Sequence, residues 1–314
     1  MTPHTKTRIT PHHQQGVTLV ELMVAMVLGL VVIGVVLSNY LTSGIGKNSS
    51  NALQQMTEDA TVALSVIRKH ISTAGYRAPV GQGGADGFAY NVDPAFQKIR
   101  GCDTTFTNPD VATTADLTCP VIAAGAADTP DSIAVDYEAD AQNSVMTAGA
   151  APQPRDCVGA GIPPRVGLNG NFFIASARLY VAGEELRCQG NGQAALPAAG
   201  AALSGNPQPL VGNIHNLRIL YGVRRVVTGT PDSFLFLPAA QVAAADWPNV
   251  VAVRVCVEVK SADAVLSEAT SYFGCGAADD PNATATTPTS PIQPAATDRH
   301  MYRAFSTTIM LHNH

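Results

Sequence analysis

The sequence predicts an α+β protein in which one long N-terminal helix, apolar and then amphipathic, packs on an antiparallel β-sheet head. Three observations carry this. From Val17 to Leu41 the chain is almost wholly apolar, and its only ionisable side chain before Tyr40 is Glu21. From Leu53 to Ile71 apolar residues recur at helical spacing. Beyond Pro79 the periodicity changes to two, in short runs rich in Val, Ile and Tyr and separated by Gly, Pro, Asp and Thr.

The composition limits the function classes. Charged residues are 14% of 314, well below the usual quarter, and the net charge is −5. An acidic body does not attract a phosphate backbone over long range, so no nucleic-acid partner is expected. The first 16 residues hold Lys6 and Arg8 and no acid, so a mature chain without them is more acidic still.

Residues 1–16 read as a short basic leader broken by Pro3 and Pro11. Basic flanks stay in the cytoplasm. Residues 17–41, 25 positions or about 37 Å as helix, are long enough to span a bilayer. They are too long for an ordinary secretory signal, and no A-x-A site follows them. The chain is therefore expected to cross a membrane once, with the leader inside and the C-terminal bulk outside, where disulfides can form. A carboxylate inside such a segment is costly and reads as functional. Gly29 and Gly34 are five apart, which is not the G-x-x-x-G dimer spacing; packing positions or soft points in the helix are both open.

The helix is expected to continue as an amphipathic half over residues 42–75. Leu53, Met56, Ala60, Ala63, Leu64, Ile67 and Ile71 form its stripe, and Glu58, Asp59, Arg68 and Lys69 lie largely elsewhere. Gly75 and Pro79 end it. The head, 76–314, then has to cover the stripe. Residues 80–130, 138–170 and 190–209 read as loops, and 276–299 as a mobile low-complexity loop. Strands are expected at Ser132–Tyr137, at Phe172–Val181 and Glu185–Gln189 around the turn Ala182-Gly183-Glu184, at Asn213–Val223, and at Arg303–His312. The clearest is Val250–Lys260, where valines at 251, 253, 255, 257 and 259 alternate with other residues, the pattern of a half-buried strand.

All six cysteines, at 102, 119, 157, 188, 256 and 275, follow the apolar segment, and none forms a C-x-x-C. Disulfides in an oxidising compartment suit this better than a zinc site or free thiols. Fifteen pairings are open; the expectation pairs neighbours, Cys102–Cys119, Cys157–Cys188 and Cys256–Cys275.

The stretch Gly16-Val17-Thr18-Leu19-Val20-Glu21-Leu22, behind a basic leader and ahead of an apolar helix, closely resembles the class III signal of type IV prepilins. The resemblance implies cleavage by a prepilin peptidase between Gly16 and Val17, N-methylation of Val17, and an assembly role for Glu21. Two features depart from the pattern: Val17 stands where Phe is usual, and Lys6 and Arg8 lie far from the cut. Further stretches, Ile67-Arg68 through Ala74-Gly75-Tyr76-Arg77, Val251–Ser261 and Arg303-Ala304-Phe305-Ser306-Thr307-Thr308, resemble PilW-type minor pilins. That implies a pilin-like fold and partners among other minor pilins, the major pilin and a tip adhesin, with the protein in the inner membrane before assembly and on the pilus surface afterwards. The J-type minor pseudopilin of type II secretion is a near relative of this class. A tip subunit whose own head binds a surface ligand is a further reading, with the loops at 138–170 and 276–299 carrying affinity.

Enzyme motifs are missing. Gly81–Gly87 fails G-x-G-x-x-G because Asp86 takes the last glycine position, and there is no P-loop, H-E-x-x-H or G-x-S-x-G. His12 and His13 fall in the leader, and His70, His215, His300, His312 and His314 are scattered; Asp279-Asp280 does not fit a calcium loop. Arg224-Arg225 reads as a solvated turn, and Asn282-Ala283-Thr284 is a bare sequon. No catalytic residue, metal or cofactor is expected.

Overall fold

The structure is a computed structural model. It describes residues 16, 18–83, 87–91, 93, 96–121, 129–193, 202, 203, 205–225, 233–275 and 291–312, with residues 39–46 as helix backbone alone. The leader before Gly16, Val17, Asp279-Asp280, the sequon at Asn282, most of the 276–299 loop and His314 lie outside the described residues.

The first element, α1, is a 55-residue helix, Leu19–Thr73. The chain divides into two compact units, Met1–Ser50 and Asn51–His314. In the first, Leu19–Ser38 has a mean hydropathy of 2.8 and none of it is buried, so it is long and apolar enough to cross a membrane.

In the second unit the rest of α1 is amphipathic. Met56, Ala60, Ala63, Ile67, Ile71 and Ala74 are fully buried, at steps of three and four. Glu58, Arg68 and Lys69 are exposed. Two polar contacts tie the flanks of the stripe to the sheet. Arg68 Nη2 donates to Thr307 Oγ1 at 2.8 Å, and Asn213 Nδ2 donates to Asp59 Oδ2 at 2.9 Å. The helix stops at Thr73, two residues before the expected end, because Gly75 turns left-handed (φ 79°) and donates its N–H to Asp136 O instead of continuing.

Among the described residues the head has two main sheets, every pairing antiparallel. One has four strands in the order β11-β10-β12-β13: β11 Ser233–Leu237, β10 Ile214–Arg225, β12 Val250–Lys260, β13 Tyr302–Met310. The other has five in the order β3-β4-β7-β8-β9: β3 Ile99–Cys102, β4 Ser132–Glu138, β7 Ile174–Ala182, β8 Glu185–Gly190, β9 Gln208–Gly212. Two short hairpins complete it, β1 Pro79–Gln82 with β2 Phe88–Tyr90, and β5 Arg165–Gly167 with β6 Gly170–Phe172. One continuous core takes in the helix stripe, Ile133, Val135, Leu179 and Leu186 of the five-stranded sheet, and Leu217, Ile219, Val253, Val255 and Val257 of the four-stranded one.

Several expectations need correction. The stretches read as loops hold β1, β2, β3, β5 and β9, and the strand expected over 172–181 is broken at Phe173 into β6 and β7. β11 was not expected at all. β12 is not half-buried: besides Val253, Val255, Val257 and Val259 of one face, Ala252, Cys256 and Glu258 of the other face are buried. The Cys256–Cys275 disulfide holds the 271–275 segment over that face, and the Cys275 N–H donates to the Glu258 carboxylate at 2.5 Å. By contrast the β7–β8 turn forms where expected. Ala182 pairs with Glu185, and Gly183 and Glu184 both have positive φ (63° and 60°), the geometry of a two-residue type I′ hairpin.

Candidate functional site

The start of α1 is built by four residues. Thr18 caps the helix: its Oγ1 accepts the Glu21 N–H at 3.3 Å and its carbonyl accepts the Leu22 N–H at 3.1 Å. Thr18-Leu19-Val20-Glu21 is therefore also a T-x-x-E capping sequence, a signal that periodicity and charge did not reveal. The cap starts the helix two residues after Gly16. It places Glu21 in the first turn, where the helix dipole favours an acid. The Glu21 side chain is exposed, as are the apolar side chains around it.

Gly16, Gly29 and Gly34 share one property: a Cβ added to any of them would meet nothing within 4 Å. Among the described residues, nothing in the fold requires a glycine at these positions.

In the head the cysteines form three disulfides, Cys102–Cys119, Cys157–Cys188 and Cys256–Cys275, with Cα–Cα distances of 5.4, 6.3 and 5.7 Å. Each ties an irregular segment to a strand. Charged groups are buried as struts. Asp136 on β4 accepts from Thr114 Oγ1 at 2.6 Å and from the Gln97 N–H at 3.0 Å, and Thr114 also bonds Ser176 on β7. Burial raises the Asp136 pKa while these donors oppose the rise. Arg218 on β10 pairs with Asp131, just before β4, at 2.9 Å, and the Ile219 N–H bonds the second oxygen of the same carboxylate. This contact joins the two main sheets.

The scattered histidines are partly brought together. His215 stacks edge-on to Tyr302 at 4.9 Å, and Asp298 accepts from Tyr302 Oη at 2.6 Å and contacts His300 Nδ1 at 2.7 Å. These hydrogen bonds hold the Asp298 carboxyl well below the usual range. His70 stands apart, buried in α1. Among the described residues, no three His, Cys, Asp or Glu side chains are placed to hold a metal ion. Arg225 faces Asp246 at 3.6 Å, so it belongs to a surface ion pair.

Residues 11–37 match the family described as "Prokaryotic N-terminal methylation motif". The motif and the apolar helix behind it fit an inner-membrane-anchored protein of the type IV pilin kind. Residues 171–313, from β6 to the end of the chain, match "Type IV Pilus-assembly protein W". Together the two matches support a type IV minor pilin of the PilW type. Among solved structures it is similar to a type IV-like pilin from Thermus thermophilus, at 12% identity and a TM-score of 0.37, over 82% of this chain and 98% of that one. No curated protein matches it.

Proposed function

We propose that the protein is a structural subunit cut by a prepilin peptidase between Gly16 and Val17, methylated at Val17, and drawn from the inner membrane into a type IV pilus. In this reading the head is periplasmic before assembly. With other minor pilins it primes assembly and forms the tip complex that presents an adhesin. The observation that carries the reading is a glycine without a structural task, two residues before a capped helix, followed by an exposed carboxylate in a wholly exposed apolar segment.

Glu21 supplies the mechanism. A carboxylate in the first turn of a membrane helix costs on the order of 1–3 kcal/mol, less than at the bilayer centre. Cleavage after Gly16 creates an amine at Val17. A helix does not easily fold its own terminus back to its fifth side chain without losing its first turn, whereas the amine of an axially shifted neighbour can reach it. Pairing across subunits offsets the cost and selects one stagger between helices.

N-terminal sequencing of the mature protein tests processing; any start other than methylated Val17 overturns it. Glu21→Ala is expected to leave cleavage intact and to abolish or strongly reduce piliation, and normal piliation and twitching would reject the pairing role.

A further inference from the structure

Where α1 ends, the head opens a groove of about 760 Å³ between the first residues after the helix, the approach to β3, and the short turn before β12. Its walls carry Arg77, Tyr90, Phe96, Lys98, Trp247 and His312, and among the described residues no carboxylate lines it. That is unusual on a chain of net charge −5. The acids nearby are already engaged. Asp93 pairs with Arg165 and Asp246 with Arg225. Asp136 is bonded to Thr114 and Gln97, and Glu138 accepts from the Ala78 N–H and Asn91.

The two cations are fixed in place by neutral groups. Lys98 Nζ donates to the carbonyls of Pro248 and Val250, each at 2.9 Å, which leaves its third N–H uncommitted. Arg77 donates to the Asn91 carbonyl, and its guanidinium carbon lies 5.3 Å from the Tyr90 ring centre and 5.5 Å from that of Phe96. Glu138 interacts with Arg77 through space, whereas Lys98 has no carboxylate within ion-pair distance among the described residues. A fixed, half-buried ammonium without a counter-ion among the described residues, on an aromatic wall, is complementary to an acid carried on an apolar body.

We propose that this groove docks a short acidic segment of a partner protein, one carboxylate pairing with Lys98 and Arg77 while the apolar part of the segment lies against Phe96 and the Trp247 edge. The volume is that of a pocket for a few residues or a small ligand, and not of a flat subunit interface. Burial already pulls the Lys98 pKa down, and a bound carboxylate would reverse that. The inference rests on reading the chain as an assembly partner of other pilins and adds the chemistry by which one is recognised.

Trp247 is the only tryptophan, so its emission reports on the groove directly. The full chain in a neutral detergent is titrated with tetraglutamate, tetraglutamine and glucuronate. Tetraglutamate is expected to change the emission saturably, tetraglutamine is not, and raising the salt weakens the effect. Lys98→Met weakens binding about tenfold, the loss of one charge-assisted hydrogen bond, and Lys98→Arg keeps most of it. Arg77→Gln serves as the second variant if the circular dichroism of Lys98→Met is not native.

Equal responses to both peptides, no saturable response, or unchanged binding by well-folded Lys98→Met would each overturn the proposal. Tighter saturation by glucuronate would assign the groove to a free acid and reject a protein partner. Binding is read on purified protein, so loss of piliation in Glu21→Ala and loss of peptide binding in Lys98→Met are separate outcomes.

Discussion

Tyr221 shows how little slack the core leaves to a single atom. Its ring is buried between the sheets, edge-on to Trp247 at 4.9 Å, and its hydroxyl has no hydrogen-bond partner. The hydroxyl fits only because residue 101 is glycine; a Cβ there would stand 1.8 Å from it. An unpaired buried hydroxyl carries a desolvation cost of about 1–3 kcal/mol. Tyr221→Phe is therefore expected to be neutral or to stabilise, by up to about 1 kcal/mol in urea unfolding. Gly101→Ala should destabilise by about 1–3 kcal/mol through overpacking, and the double variant should recover part of that loss. Fully additive losses would show that the two residues do not share the space.

His70, also at residue scale, makes a pH prediction. It is buried in α1 with Nδ1 unpartnered, and burial, helped by Lys69, lowers its pKa from 6.5 to about 4. The unfolded state binds the proton more readily, so stability is fully present above about pH 6.5 and falls as pH drops towards 4, by about 3 kcal/mol at the limit. The buried carboxyls Asp131 and Asp136, raised by burial, act with the opposite sign. The His70 part is thus the difference between the native chain and His70→Leu, whose unfolding midpoint should fall less between pH 6.5 and 4.5. An identical pH dependence would refute it.

At the scale of elements, the covalent ties bind what the sheets do not hold. Cys157–Cys188 joins residues 31 apart and fastens the irregular 138–164 segment to β8. Loop-closure entropy puts its contribution at about 3–4 kcal/mol. Replacing both cysteines by Ala should lower the unfolding free energy by that amount and release the segment first, seen as early proteolysis between 138 and 164; unchanged stability would mean that the segment is held by its hydrogen bonds alone. The strands that could be read from the sequence were those with a local cause: the valine alternation of β12, Ser132–Glu138, the Gly183-Glu184 turn that sets β7 against β8, and the alternation of β13. β3, β5, β9 and β11 are three to five residues long, and they form because a neighbour supplies a ladder. Nothing within so short a run distinguishes it from a loop.

At the scale of the whole molecule, two solvents meet on one helix. Leu19–Ser38 exposes its apolar side chains all round, each worth about 1.5–3 kcal/mol if buried, whereas Met56–Ile71 buries a single stripe in the head. A chain beginning at Asn51 is expected to be soluble and monomeric, with three disulfides and a cooperative unfolding transition, and the full chain to partition into detergent. Aggregation or loss of tertiary circular dichroism in the shorter chain would show that the head depends on the first unit. The sequence by itself determined the parts whose cause is local or compositional. These are the membrane-length anchor, the Gly16–Glu21 spacing with its Thr18 cap, the amphipathic stripe and the alternating strands, because helical and strand periods are properties of adjacent residues. Only the tertiary structure decided that the strands divide into two sheets, that Asp131 and Arg218 join them, that both faces of β12 are covered, and that Arg77 and Lys98, with His312 from the far end of the chain, share one groove. Those outcomes depend on which distant segments compete for the same partner, and no local pattern encodes the winner of that competition.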